Sequence, residues 1–294
     1  MPELPDLTVY LEHLERRVAG VELRGIRIAS PFVLRTVIPA VDEVCGRSVV
    51  ALRRLAKQLV FELDGDYFVV LHLMISGRLQ WRDSAVAVPK RNGLAALDFA
   101  SGTLLFTEAS KKKRASLRLV RGREALAELD PGGLEVLDSD LAGFSARLRA
   151  SRHTLKRALT DQRVLAGIGN AYSDEILLRA GMSPFKQAHA LSDDELAILH
   201  QACREVLREW VERLRERAGT KFPAKVTAFH PEMAVHGRYR EPCPVCGAPV
   251  QRIQYAENEA NYCARCQTGG RLLADRSLSR LLKDNWPKRL EDLE

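Results

Sequence analysis

"CPVCGAPVQRIQYAENEANYCARC", residues 243–266, sets two Cys-x2-Cys pairs sixteen residues apart. Two such knuckles on hairpin turns bring four sulfurs to one point, and four thiolates at that spacing suit a tetrahedral zinc ion. Cys243, Cys246, Cys263 and Cys266 are therefore the expected ligands of one structural Zn2+ per chain. Closed coordination of this kind performs no hydrolysis; it lets a hairpin too small for a core of its own fold around the ion. Cys45 and Cys203 stand alone. Four clustered cysteines in a chain without a secretion signal argue for metal rather than disulfides.

Upstream of the cysteines the pattern is helical. "FSARLRAS", "TLKRALTD", "NAYSDEILLRAG" and "DDELAILHQACREVLREWVERLRER" repeat apolar residues at helical spacing, the last opened by the Ser192-Asp193-Asp194-Glu195 start signal. Before "NAYSDEIL", the turn Gly167-Ile168-Gly169-Asn170 exposes backbone N–H groups at a helix start, a cradle for phosphate or simply a sharp inter-helix turn. Between about 22 and 120 the chain instead reads as short β runs: "VVALRRL", "QLVFEL" and "YFVVLHL" around "DGD", then "LAALDF" and "LLFTEA" around "ASG". Such a pattern predicts an antiparallel sandwich or barrel, led by a helix over 6–19 with Asp6 as its N-cap and Gly20 after its end.

Punctuation divides the chain into a β domain over 1–133, ending at Pro131-Gly132-Gly133, a helical domain over 134–220, a zinc finger over 221–270 and an extension over 271–294. "SLSRLLKDNW" in the extension is a candidate amphipathic helix. A formal charge of +7 and a pI of about 9.2 favour a polyanionic partner. "YFVVLHLMI" is too short to span a bilayer, so no membrane partner is expected and the address is the cytoplasm or nucleoid.

The N-terminus, "MPELPD", raises a chemical possibility. Removal of Met1 leaves the secondary amine of Pro2, and an α-amine with a reference pKa of about 7.7–8.0 is partly unprotonated near neutrality. Such an amine can form an iminium with a carbonyl-level carbon.

"MPELPD", "RRLAKQLVFEL", "GIGNAYSDEIL" and "VHGRYREPCPVCG…NYCARCQ" occur in that order, and together they resemble the formamidopyrimidine-DNA glycosylase/endonuclease VIII (Fpg/Nei) family over roughly residues 1–267. The resemblance implies an α+β fold of two domains: an N-terminal β-sandwich with its leading helix, then a helix–two-turns–helix module with a four-cysteine zinc-finger hairpin, with DNA in the cleft between. It implies a monomeric bifunctional glycosylase and AP lyase acting on damaged DNA. By the same resemblance Pro2 is the nucleophile at C1′, Glu3 the carboxylate that handles protons, and Lys57 a strand lysine at a phosphate near the lesion. Asn170 and Lys156 match phosphate contacts, and Met74 the residue that fills the gap left by the flipped nucleotide.

Four features depart from the family pattern. Its arginine–aromatic wedge is replaced by "FTEASKKKRASL", where Lys111, Lys112, Lys113 and Arg114 are either phosphate contacts or a solvated turn. The finger arginine aligns with Asn258, leaving Arg252 or Arg265 to compensate. "AGTKFPAKVTAFH", before the finger, is short, and the tail beyond Cys266 is long. These departures motivate a second reading, a damage- or structure-binding protein with weak or lost excision. A zinc-ribbon transcription or RNA-binding factor would leave the Pro-Glu terminus unexplained.

Overall fold

The computed structural model describes residues 1–223, 225–255, 258–274, 280–281 and 287–293. They form two compact units: Met1–Pro131 with Trp210–Thr227, and Gly132–Glu209 with Ala228–Glu294.

In the first unit, α1 (Leu4–Val18) leads eight antiparallel strands: β1 (Glu22–Ile28), β2 (Arg47–Leu55), β3 (Gln58–Leu63), β4 (Tyr67–His72), β5 (Gly77–Arg82), β6 (Gly93–Phe99), β7 (Gly102–Glu108) and β8 (Ser116–Arg121). Short helices α2 (Val41–Val44) and α3 (Arg123–Ala127) complete it. The strand order is β5-β7-β6-β1-β2-β3-β4-β8. β1 and β2 meet only at Glu22–Ser48 and Leu23–Arg47, so two four-stranded halves hinge there over one core. That core holds Leu7, Tyr10 and Leu14 of α1 against Leu59, Phe61, Val69, Leu97 and Phe106 of the sheet. The β2–β3–β4 meander follows the expected runs, with the "DGD" turn joining β3 to β4 in register from Gln58–His72 to Leu63–Tyr67.

Residues 210–227 close this unit. Arg215 donates to both carboxylate oxygens of Glu12, at 3.0 and 2.6 Å. The Phe222 ring lies 5.5 Å from that of Tyr10, and Arg78 Nε donates to the Val226 carbonyl at 2.5 Å.

The second unit contains α4 (Leu141–Ala150), α5 (Leu155–Thr160), α6 (Asn170–Arg179) and the part of α7 (Asp193–Ala218) through Glu209. The hairpin β9 (Gln251–Tyr255) and β10 (Asn258–Tyr262) follows, then α8 (Ala264–Thr268). α7 starts in a capping box, with Glu195 N–H donating to Ser192 Oγ and Ser192 N–H to Glu195 Oε2.

Two consecutive acids of α6 organise this unit. Asp174 is fully buried and Glu175 nearly so. Glu175 accepts the backbone N–H groups of Ala234, Val235 and His236 at 2.8, 2.9 and 3.0 Å. Asp174 pairs with Lys156 Nζ at 2.5 Å and His236 Nδ1 at 2.8 Å, and accepts from Asn261 Nδ2 at 3.2 Å. The pair thus ties α5 and α6 to the segment before the finger and to β10. Gln267 adds a tie, accepting from Cys263 N–H and donating to the Met182 carbonyl.

The described part of the extension packs on the finger. Leu272 N–H donates to the Lys288 carbonyl, Leu290 N–H to that of Gly270, and Leu273 N–H to Tyr262 Oη. Leu272, Leu273 and Leu290 join the apolar cluster of Ile253, Tyr262 and Ala264. The candidate helix "SLSRLLKDNW" lies outside the described residues except Arg280 and Leu281.

Because Glu175 is the acceptor for three backbone donors, Glu175→Ala should destabilise the second unit by about 3 kcal/mol or more. Glu175→Gln, which keeps one acceptor oxygen, should recover part of that loss. Urea unfolding of the full chain, followed by circular dichroism and by cysteine reactivity, measures both.

Candidate active site and nucleic-acid interface

The first residues do not fray. Pro2 is buried, α1 starts at Leu4, Leu7 N–H donates to the Glu3 carbonyl at 3.0 Å, and Glu3 N–H donates to Asp6 Oδ2 at 2.9 Å. The expected N-cap is therefore corrected: Glu3 is the cap and Asp6 is the third helical residue, reaching back to it. A helix beginning two residues earlier than its apolar pattern suggested follows from Pro5 in the first turn, where a missing N–H costs nothing.

Burial lowers the Met1 amine below its ordinary value. Glu3 raises it in partial opposition, and Arg78 and Lys57 lower it further. An acid, an amine and two cations thus share one electrostatic neighbourhood. Asp6 is pushed up to about 7, first by burial and further by Glu3, while the hydrogen bond from Glu3 N–H opposes the shift.

Lys57 is nearly buried and occupies the two-residue β2–β3 turn rather than a strand. Arg54 holds that turn by donating to the Ala56 carbonyl at 2.8 Å. Across the hairpin, His72 pairs with Gln58 on one side and Ser116 on the other. Burial, then Arg118 and Lys57, pull His72 down to about 4, so it is neutral at pH 7. Sequence reasoning missed His72 and Arg118; the hairpin register was the signal that could have found them.

The β4–β5 turn carries Met74, the expected gap-filling residue, beside Ile75. Met74 lies in the left-handed region (φ 52°) with a half-buried side chain, whereas Ile75 is 52% exposed. Ile75, not Met74, is the exposed apolar side chain at the tip. Gly77 closes the turn, and a Cβ there would sit 2.2 Å from the Leu73 carbonyl oxygen. Arg78 donates to the carbonyls of Ile75 and Gly77 as well as to Val226. Arg78 was also missed, because a single arginine in a strand carries no pattern.

The basic run is an ordered loop on a buried acid. Glu108, 1% exposed, accepts from the N–H groups of Arg114 and Ala115 at 3.0 and 3.2 Å. Lys113 Nζ folds back onto the Glu108 carbonyl, while Lys111, Lys112 and Arg114 are exposed.

In the second unit, the Gly167–Asn170 turn is stapled by Gln162. Its amide donates to the carbonyls of Thr160 and Ile168 and accepts from Gly167 N–H. Asn170 is the first residue of α6 and half-buried. Lys156, expected at a phosphate, has 3% of its side chain exposed, and its ammonium is held by Asp174 and by the Asn170 carbonyl at 2.6 Å. Both partners belong to α6, so Lys156 ties α5 to the start of that helix.

The four expected cysteines converge, with all Sγ atoms within 4.8 Å of one another and no disulfide among them. Four soft sulfurs at that spacing fit a tetrahedral metal ion. Gly247 N–H donates to the Cys243 carbonyl, and Cys243 N–H to that of Ala248, forming the first knuckle. Arg265 donates to the Cys246 carbonyl at 3.2 Å and so braces the metal site. Arg252 lies over the Tyr239 ring, 4.6 Å from its centroid. Asn258 opens β10 opposite Tyr255.

Residues 1–125 match the formamidopyrimidine-DNA glycosylase N-terminal domain, 133–221 the formamidopyrimidine-DNA glycosylase H2TH domain, and 240–269 the zinc finger found in FPG and IleRS. The chain is 35% identical over 279 residues to the formamidopyrimidine-DNA glycosylase of Thermus thermophilus, covering 92% of this chain and 100% of the relative. It is 44% identical over 155 residues to an uncharacterized formamidopyrimidine-DNA glycosylase-like protein of Mycobacterium tuberculosis, covering 53% and 94%. Among solved structures, the complex between Lactococcus lactis Fpg and DNA containing an abasic site aligns with a TM-score of 0.79 at 26% identity, covering 90% of this chain and 99% of that one.

Asp6 generates a pH prediction. Its folded value lies above the ordinary 3.8, so its contribution to stability is complete below about pH 4 and is lost as pH rises through about 7. Asp6→Asn keeps an oxygen for Glu3 N–H but does not titrate. The variant should therefore gain on the parent between about pH 4 and pH 7, by up to about 1.4 kcal/mol per unit; a difference that stays constant across that range would contradict the assignment.

The cysteine cluster generates a second. Elemental analysis should find one metal ion per chain, and chelation should expose all four thiols to a thiol reagent while weakening DNA binding.

Proposed function

The chain belongs to the formamidopyrimidine-DNA glycosylase/endonuclease VIII family, the DNA glycosylases of base-excision repair, and from that membership we propose that it is a bifunctional glycosylase and AP lyase working through Pro2. The observation that carries the reading is the buried Pro2-Glu3 start, pinned by Asp6 and flanked by the charges of Lys57 and Arg78. Removal of Met1 leaves the Pro2 amine, and an α-amine with a reference pKa of about 7.7–8.0 has a neutral, nucleophilic fraction near neutrality.

The neutral amine attacks C1′ of the damaged nucleotide. The C1′–base bond breaks, its electrons leaving with the base, which takes up a proton. The sugar ring opens and the C1′–nitrogen bond becomes an iminium. Loss of a C2′ proton then expels the 3′ phosphate; a second elimination at the 5′ side follows where the geometry allows, and water releases the sugar remnant. Glu3, beside the amine, is the group assigned to the proton transfers around the sugar.

Lys57, neutral His72 and Arg118 form the phosphate-facing group near the lesion in this reading, and Ile75 fills the space vacated by the flipped nucleotide. Asn170 and its turn bind a phosphate, with Lys156 holding them in place. The exposed cations of 111–114 are further phosphate contacts. The four cysteines would hold Zn2+, which supplies structure and no chemistry. Among the described residues no helix is long and apolar enough to cross a membrane; a cytoplasmic, nucleoid-associated monomer is the form proposed.

Phe222 lies against Tyr10 and the Val226 carbonyl accepts from Arg78, and the 106–117 segment has no aromatic beyond Phe106, which is fully buried. Both features favour lesions that unstack readily, namely abasic sites, oxidised pyrimidines and ring-opened purines, over 8-oxoguanine. The basic loop and Asn258 also favour the second reading, a damage-binding protein with weak excision.

Borohydride should trap a covalent adduct on abasic-site DNA, with the added mass at Pro2, and Pro2→Gly should abolish or greatly reduce it. The same trapping on a lesion panel ranks substrates. Binding to lesion DNA without any trapped adduct would establish the second reading, and faster excision of 8-oxoguanine than of every pyrimidine lesion would refute the stated preference.

A further inference from the structure

We propose that Arg78 is a positioning residue that aims the gap-filling side chain, Ile75, by tying the β4–β5 turn to the 219–227 segment. The role rests on the reading of Ile75 as the group that fills the space vacated by the flipped nucleotide.

The turn is strained. Met74 sits at φ 52°, where a side chain crowds its own backbone, while Ile75 beside it is apolar and 52% exposed. Gly77 N–H donates to the Leu73 carbonyl at 2.8 Å and closes the turn. Arg78 Nη1 then donates to the Ile75 and Gly77 carbonyls, at 3.0 and 2.6 Å. Holding the Ile75 carbonyl fixes the peptide plane that follows it, and with that plane the direction of the exposed side chain.

A second nitrogen of the same group reaches elsewhere. Arg78 Nε donates to the Val226 carbonyl at 2.5 Å, 148 residues away in the chain. The segment around Val226 is itself anchored to α1. Phe222 lies 5.5 Å from the Tyr10 ring, Arg17 stands over Phe222 at 5.6 Å, and Arg17 donates to the Thr220 carbonyl at 3.3 Å. Tyr10 Oη accepts from Leu79 N–H at 3.4 Å, next to Arg78. The exposed tip and the Pro2-Glu3 start are therefore both referred to α1.

Among the described residues no carboxylate pairs with Arg78, so its donors hold backbone oxygens. Its planar fork presents donors from separate nitrogens at fixed angles, which lets one side chain grip the turn and the segment together. A lysine ammonium keeps the charge and loses the fork. The flipped state is favoured while the vacated space is filled. Excision of a damaged base needs that state, whereas an abasic site has no base to unstack. Loss of the Arg78 fork should therefore fall on excision more than on elimination.

Single-turnover excision of an oxidised pyrimidine, and borohydride trapping on the same duplex carrying an abasic site, are measured for the full chain. The variants are Arg78→Lys, Arg78→Gln, Ile75→Ala and Arg78→Lys combined with Ile75→Ala; urea midpoints show which are folded at the assay temperature. Arg78→Lys should slow excision about tenfold, the loss of one charge-assisted hydrogen bond, and trapping by much less. Arg78→Gln should lose at least as much excision. In the Ile75→Ala background Arg78→Lys should cost excision little further, because the turn then has no tip to aim. Without DNA, trypsin should cut at Lys221 and Lys225 faster in both Arg78 variants than in the parent. Losses that add in the double variant, equal losses on the two substrates, or unchanged tryptic cleavage overturn the proposal. A parent that neither excises nor traps refutes the glycosylase reading instead. The positioning role is then still decided by the tryptic pattern and by 2-aminopurine placed opposite the abasic site. Its fluorescence change on binding should fall alike in Arg78→Lys and Ile75→Ala.

Discussion

Two adjacent buried carboxylates, Asp174 and Glu175, determine where the functional parts of the second unit sit. Neither can be left without partners, because an unpaired buried charge costs several kcal/mol. Glu175 meets that demand with three consecutive backbone N–H groups before the finger, and Asp174 with Lys156, His236 and Asn261. Lys156 in turn holds the Asn170 carbonyl. The phosphate-cradle turn, the approach to the finger and β10 are therefore fixed by one network, and the finger's orientation against α6 follows from satisfying it.

A smaller constraint of the same kind fixes the first unit's terminus. A chain end is normally the least ordered part of a domain. Here the helix must begin immediately, and the Glu3 N–H that lacks an intrahelical acceptor is taken by Asp6. Burying Asp6 to make that bond is costly, which is why its carboxyl is pushed up to about 7. The result is a chain start in which Pro2 and Glu3 are buried and held in one place, the order that the proposed terminal nucleophile requires.

Much of this was legible in the sequence because local rules decide it. The cysteine spacing, the strand runs around "DGD" and the α7 start signal each depend on residues a few positions apart. What the sequence left unseen has another cause: the deciding partner is distant or the choice is one residue wide. Lys156 looks like a free cation until Asp174, eighteen residues on, is seen to hold it. Met74 and Ile75 are both apolar and adjacent, and only the left-handed backbone at Met74 sends one inward and leaves the other exposed. His72 is invisible as a site residue until β4 pairs with β3 and β8.

Net charge consequently misleads as a map of DNA contacts. Arg78, Lys113, Lys156 and Arg265 direct their donors at the protein's own carbonyl oxygens, where they brace turns, a loop and the metal knuckle. His72, surrounded by cations, is kept neutral by burial, so it can donate a hydrogen bond without adding to local repulsion. Arg240 and Arg252 instead lie against the Tyr239 ring. Of two basic residues with the same formal charge, the one whose donors are already satisfied shapes the site, and the one whose donors are exposed binds through it.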